Sequence, residues 1–132
     1  MILVDTNVLI DVLQDDPKWA DWSIQQLRSQ SQVHELVINP IIYAELSTVF
    51  ESRAVLDGVI ADMQLRLHEL PRDALFLADK AFLRYKHSGG NKQNVLSDFF
   101  IGAHAAVSRC PVLTRDPGRY KTYFPSVGLV MP

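Results

Sequence analysis

A single cysteine, Cys110, is all the thiol chemistry this chain carries. An internal disulfide is therefore excluded, and the composition suits a reducing compartment. No Cys/His group has the spacing of a structural zinc site. Long apolar runs are missing too: none approaches the roughly 18 residues needed to span a membrane. No basic stretch precedes an apolar one near residue 1, so no secretory leader is expected and the expected location is the cytoplasm. Internal repeats and low-complexity tracts are absent. Acidic residues are scarce where basic ones collect. Residues 80–132 hold eight Lys/Arg against two Asp/Glu, Asp98 and Asp116, whereas residues 1–79 hold five against thirteen. A basic half that keeps two carboxylates fits a polyanion-binding face with acids reserved for a separate task. A dipolar surface without function is the plainer alternative.

What is present reads as one α/β domain. The 132 residues suffice for a single sizeable core, and 48% hydrophobic with 21% charged residues is ordinary for a soluble globular protein. Ile2-Leu3-Val4 reads as a short buried strand that stops at Asp5, after which Thr6-Asn7 opens a helical pattern through Val8, Leu9, Val12 and Leu13. A carboxylate at the carboxyl end of a buried strand has two readings. It caps the following helix, or it lies on the edge where open α/β sheets bind ligands.

Farther along, residues 18–31 form a helix, with Trp19 and Trp22 as core or interface residues. Leu36-Val37-Ile38 is a second strand. Pro40 starts a helix whose stripe is Ile42, Leu46, Val49 and Phe50, and helices over 41–53 and 55–64 make a hairpin or clip. Glu45 lies about 60° from Ile42 on the helical wheel, turned partly inward, where an unpaired carboxylate is costly. A third strand spans Leu65 to Leu70. Residues 72–87 form a helix with Leu75, Ala78, Phe82 and Tyr85 on one side, and residues 87–94 a polar loop. The helix over 95–108 is the most apolar, and Asp98 is turned away from its polar sector of Ser97, His104 and Ser108. It either stabilises the helix N-terminus or needs a cation. Pro111-Val112-Leu113 is a fourth strand, followed by Thr114-Arg115-Asp116. A short basic and aromatic helix over 118–124 and a last strand within Val127–Met131 complete the chain. Strands alternating with helices imply a parallel sheet covered on both faces.

In a doubly wound sheet Asp5 and Asp116 share one edge, Asp98 starts the helix leading into the fourth strand, and Glu45 sits one turn into the helix after the second. All four then meet at one crevice. Clustered carboxylates raise one another's pKa values and stay ionised cheaply only around divalent cations. Oxygen-only ligation suits Mg²⁺ or Mn²⁺, which lower the pKa of water and stabilise charge in phosphoryl displacement. No histidine is needed as a base. His34, His68, His87 and His104 have no spacing that suggests one.

The segments I-L-V-D-T-N-V-L-I-D (2–11), N-P-I-I-Y-A-E-L-S (39–47), L-S-D-F-F-I-G-A-H-A (96–105) and L-T-R-D-P-G-R-Y (113–120) resemble those of PIN-domain ribonucleases, and within them VapC-type toxins of bacterial toxin–antitoxin pairs. The resemblance implies a single PIN domain over 1–132 with a helical clip at about 41–64. Its fold would be a PIN-like, Rossmann-like α/β/α sandwich around a five-stranded parallel sheet in order 3-2-1-4-5. It further implies a Mg²⁺- or Mn²⁺-dependent endoribonuclease, a homodimer, and a cognate VapB-like antitoxin whose tail reaches the acidic site. Position by position, Asp5, Glu45, Asp98 and Asp116 match the acidic quartet, and Asn7 and Thr114 its polar supports. Ser97 stands where proline is frequent, and bulky Phe99 follows Asp98.

On this reading Asp5, Asp98 and Asp116 hold the metal, and Glu45 orients or deprotonates the attacking water. Arg84, Lys86, Lys92, Arg115, Arg119 and Lys121 are candidates for gripping RNA phosphates. Tyr120 and Tyr123 stack on bases or pack the core. Two alternatives stand beside it. One is a catalytically weak PIN-fold module that binds RNA or antitoxin. The other is a Mg²⁺-binding receiver-like signalling domain, which the sequence Asp5-Thr6-Asn7 and the lack of a lysine ending the last strand disfavour.

Overall fold

Ile2, Leu3 and Val4 have no more than 1% of their surface exposed, so the first strand, β1 (Ile2–Val4), is buried on both faces. Continuous apolar runs of this kind belong to parallel sheets whose faces are both covered by helices. The computed structural model describes residues 1–92 and 95–132, and these form a five-stranded, all-parallel sheet. β1 lies at its centre between β2 (Leu36–Ile38) and β4 (Val112–Leu113). The edges are β3 (Arg66–Leu67) beside β2 and β5 (Leu129–Val130) beside β4. The order is therefore 3-2-1-4-5. Successive strands are added outward on one side of β1 and then on the other, so the carboxyl ends of β1 and β4 flank the switch point where such folds place their ligands.

Seven helices join these strands among the described residues: α1 (Thr6–Leu13), α2 (Ala20–Ser31), α3 (Pro40–Leu46), α4 (Arg53–Asp62), α5 (Arg72–His87), α6 (Leu96–Ser108) and α7 (Gly118–Tyr123). Asn39 caps α3 by accepting the backbone N–H of Ile42 at 3.0 Å, with Pro40 at the first helical position. Its amide Nδ2 also meets His104 Nδ1 at 3.1 Å, which ties α3 to α6 inside the core. Burial depresses the pKa of His104, in keeping with a neutral ring that accepts this hydrogen bond.

Three expected elements differ from the spacing argument: the third strand, expected over Leu65 to Leu70, is only Arg66–Leu67, and two helices depart as follows. The helix expected over 41–53 stops at Leu46 and continues only as a 3₁₀ turn, Ser47–Val49. Ser47 Oγ donates to the Tyr43 carbonyl at 2.8 Å, Phe50 is extended, and Ser52 caps a new helix through Val55 N–H. Val49, expected in the buried stripe, is exposed. On α5 the inward line is Ala74, Ala78 and Ala81, flanked by half-buried Phe82 and Tyr85, while Leu75 faces out. Small side chains let α5 sit close on α6, and a leucine at position 75 falls outside that seam. The last two positions of the loop expected over 87–94 lie outside the described residues.

Candidate acidic active site

Asp5 ends β1 and stands at the N-cap of α1, yet its side chain makes no capping hydrogen bond. The capping reading is thereby overturned. The carboxylate turns instead toward β4 and α7. Its Oδ2 accepts from Tyr120 Oη at 2.8 Å, Thr114 Oγ1 at 2.9 Å and Asn7 Nδ2 at 3.3 Å. Among the described residues Oδ1 accepts no side-chain hydrogen bond, so one oxygen is fixed and the other is left for the cleft. Burial pushes the Asp5 carboxyl up from 3.8 to about 7. The charge of Asp98 adds to the rise, the Tyr120 and Thr114 bonds oppose it, and Glu45 adds a smaller push. Here is a carboxylate oriented for ionic work in a place that resists its ionisation.

Glu45 is held by both neighbouring acids' helices. Thr6, directly after Asp5, donates to Oε1 at 2.6 Å, and Ser97, directly before Asp98, donates to Oε2 at 3.1 Å. The hydroxyls fix the carboxylate without neutralising it. Asp98 lies in the first turn of α6, partly buried. Its pKa is raised, chiefly by burial. Arg119 works against that rise, while Glu45 and Asp116 add to it. The Arg119 guanidinium donates from Nη1 to Asp98 Oδ2 at 2.8 Å and lies 5.6 Å from the centre of the Tyr85 ring.

Asp116 is exposed at the rim. Its backbone N–H donates to Thr114 Oγ1 at 3.1 Å, the same hydroxyl that donates to Asp5. Asn7 knits the same corner, its Oδ1 taking the Arg115 N–H at 3.4 Å. Of the quartet read from the sequence, Asp5, Glu45 and Asp98 lie within reach of one another's charge, and Asp116 within reach of Asp98.

The basic candidates divide. Arg84, Lys86, Lys92 and Lys121 are exposed. Lys92 N–H bonds the Tyr85 hydroxyl at 3.2 Å, so its segment meets Arg119 at one aromatic ring. Arg115 is committed internally: its Nε bonds buried Asp11 Oδ2 at 2.7 Å, and its guanidinium lies over Trp19. Ser23 Oγ completes that buried knot at 3.1 Å from the same oxygen. Tyr120 is only 1% exposed, so it packs the core and holds Asp5, and base stacking is closed to it. Tyr123 is half-buried against Phe99 and Tyr85.

Sequence reasoning missed Thr6, Ser97 and the second job of Tyr120. The first two had a signal, a hydroxyl adjoining each acid in sequence. Their common partner, 39 and 52 residues away, had none.

Among the described residues, no three His, Cys, Asp or Glu side chains form a ready-made metal cage. The donor chemistry nonetheless fits a hard divalent cation. It is all oxygen, one Asp5 oxygen is unclaimed, and the buried negative charge calls for compensation.

Comparison with known proteins agrees with the fold. No curated protein matches the chain significantly. Among solved structures, the VapBC2 complex of Rickettsia felis bound to a promoter DNA fragment has a chain that superposes with a TM-score of 0.75. The identity is 17%, with 100% of this chain and 99% of that one covered. A chain of VapBC-1 from nontypeable Haemophilus influenzae gives 0.74 at 17% identity, covering 99% and 98%. One from a toxin–antitoxin complex of Klebsiella pneumoniae gives 0.71 at 20%, covering 98% and 96%. The PIN domain family matches residues 2–125, nearly the whole chain. With the parallel 3-2-1-4-5 sheet, this match over nearly its whole length places the chain in the PIN domain family.

Proposed function

We propose that this chain is a divalent-metal-dependent endoribonuclease and the toxin of a type II toxin–antitoxin pair. The observation that carries the proposal is Asp5. It is a buried carboxylate with one oxygen saturated by three donors and the other unclaimed, and it feels the charge of Asp98 and Glu45. Such a group is unfavourable in a purely structural role. Asp5, Asp98 and Asp116 would hold Mg²⁺ or Mn²⁺. When bound, the ion supplies the charge that keeps these acids ionised, a lowered pKa for water, and stabilisation of the phosphoryl oxygens.

The chain's own groups supply the rest. Thr6 and Ser97 aim Glu45 so that it orients the attacking water and takes up its proton. Asn7 and Thr114 hold the corner joining Asp5 to the Asp116 backbone. Arg84, Lys86, Lys92 and Lys121 offer exposed charge to phosphates of RNA, and Arg119 is paired with Asp98, whereas Arg115 is held by Asp11. The likeness to chains from VapBC and other toxin–antitoxin complexes supports a VapB-like antitoxin as partner, and a homodimeric toxin belongs to the same reading. No described helix is long and apolar enough to cross a membrane.

The test is product-end analysis of RNA cut by the protein with Mg²⁺ and with a chelator. Attack by water leaves a 5′-phosphate and a 3′-hydroxyl, and chelator abolishes cutting. A cyclic phosphate, or cleavage unchanged by chelator, overturns the proposal. Co-expression with the neighbouring gene product tests the toxin half: growth arrest on expression alone and rescue by that product are expected. Unimpeded growth in the absence of that product contradicts it.

A further inference from the structure

We propose that Arg119 is a built-in rival of the metal: it occupies Asp98 in the metal-free protein, yields that carboxylate when a divalent cation arrives, and then presents its guanidinium to a phosphate of the bound RNA. This rests on the reading of the acids as a cation site and adds a partner that the acids alone do not reveal.

Four observations carry it. The ion pair is close, 2.8 Å from Nη1 to Oδ2, and only partly exposed, with 23% of the Arg119 side chain and 30% of the Asp98 side chain accessible. Oxygen Oδ2 of Asp98 thus already has a cation upon it. Second, Arg119 has a second contact that it can keep when Asp98 is given up. Its guanidinium lies over the Tyr85 ring, a cation–π contact, so release from Asp98 does not strand it in solvent. Third, Tyr85 is fixed. Phe82 and Phe99 pack on its ring, and the backbone of Gly90 lies so close that an added Cβ would stand 2.5 Å from it. Fourth, the segment bearing Lys92 reaches the same tyrosine through a hydrogen bond. A freed Arg119 therefore faces the cleft beside further positive charge, a fork suited to a phosphate. The opposing assignment is that Arg119 positions Asp98 for the metal. The two differ in sign: removing a rival tightens metal binding, whereas removing a positioner weakens it.

The experiment titrates Mn²⁺ into the full-length protein without RNA, following free Mn²⁺ by electron paramagnetic resonance. It compares the wild type, Arg119→Gln and Arg119→Lys, each with and without Asp98→Asn. Loss of one partly buried, charge-assisted pair sets the scale. Arg119→Gln is expected to bind Mn²⁺ about tenfold more tightly than wild type. Arg119→Lys should stay within about threefold, and the gain should vanish in the Asp98→Asn background. With Mn²⁺ saturating, Arg119→Gln should bind a short uncleavable RNA several-fold more weakly. Unchanged or weaker Mn²⁺ binding by a folded Arg119→Gln, while the wild type binds, overturns the rivalry and leaves the metal site standing. Absence of Mn²⁺ binding in every variant overturns the metal-site reading and this inference together.

Discussion

Asp5→Asn should make the metal-free protein more stable at pH 8, although it removes the residue on which the site is built. The side chain is replaced by one of the same shape. An asparagine presents its carbonyl oxygen to Tyr120, Thr114 and Asn7, where the carboxylate Oδ2 now sits, and turns its NH₂ toward the cleft. What changes is charge. The folded-state carboxyl is raised from 3.8 to about 7, so the native state keeps a proton that the unfolded chain has already released. Stability therefore falls as pH rises through that window. About three pKa units at 1.36 kcal/mol each give roughly 4 kcal/mol as an upper figure above pH 7. For a chain of this size that corresponds to about 14 °C in Tm.

His104 works in the opposite direction. Its folded pKa is lowered, so its contribution is present above the unfolded value near 6.5 and is lost as pH falls below it. Wild-type stability alone mixes the two groups, and the difference between wild type and variant isolates Asp5. The assay is urea denaturation with chelator present at pH 5, 6, 7 and 8. The variant should be ahead by about 1–2 kcal/mol at pH 5, with the lead growing to about 3–4 kcal/mol at pH 8. Added Mn²⁺ should then stabilise the wild type and leave the variant unmoved. Parallel stability curves across the series, or a variant weaker than wild type at pH 8, would refute the claim that ionised Asp5 is strained by burial.

Three further outcomes are expected. Thr6→Val removes the 2.6 Å bond to Glu45, and cleavage should fall by about tenfold for a loss near 1–1.5 kcal/mol, with Ser97→Ala giving a smaller loss; kcat on a fixed RNA substrate checks both. Asp11→Ala leaves the Arg115 guanidinium unpaired and Ser23 without its acceptor, so urea denaturation should show about 2–4 kcal/mol lost, and the arginine anchored beside Asp116 should loosen. Gly102→Ala puts a Cβ 2.3 Å from the Phe124 ring, and thermal denaturation should register about 1–3 kcal/mol of overpacking.

The fold was largely legible because its signals are local. Apolar triplets followed by Asp5, Asn39 and Thr114 gave β1, β2 and β4, and Pro40 marked where a helix begins. The break at Ser47 was not legible, since it turns on one hydroxyl choosing the Tyr43 carbonyl over solvent. Nor was the inward face of α5, where three alanines won over a leucine because the neighbouring helix lies close. Within the site, the acids could be named from their places at strand ends and helix starts. Their partners could not. Thr6, Ser97 and Arg119 meet Glu45 and Asp98 only after folding, and nothing in the sequence distinguishes Arg119, bound to an acid of the cleft, from Lys121, exposed two residues later.

The most direct measurement of the central claim is anomalous scattering from crystals soaked in Mn²⁺. The account predicts a peak in contact with Asp5 Oδ1 and the Asp98 carboxylate, with Arg119 moved off Asp98, and no such peak in Asp5→Asn. A map with no manganese at these acids at saturating concentration, or with manganese bound only elsewhere on the chain, would contradict it.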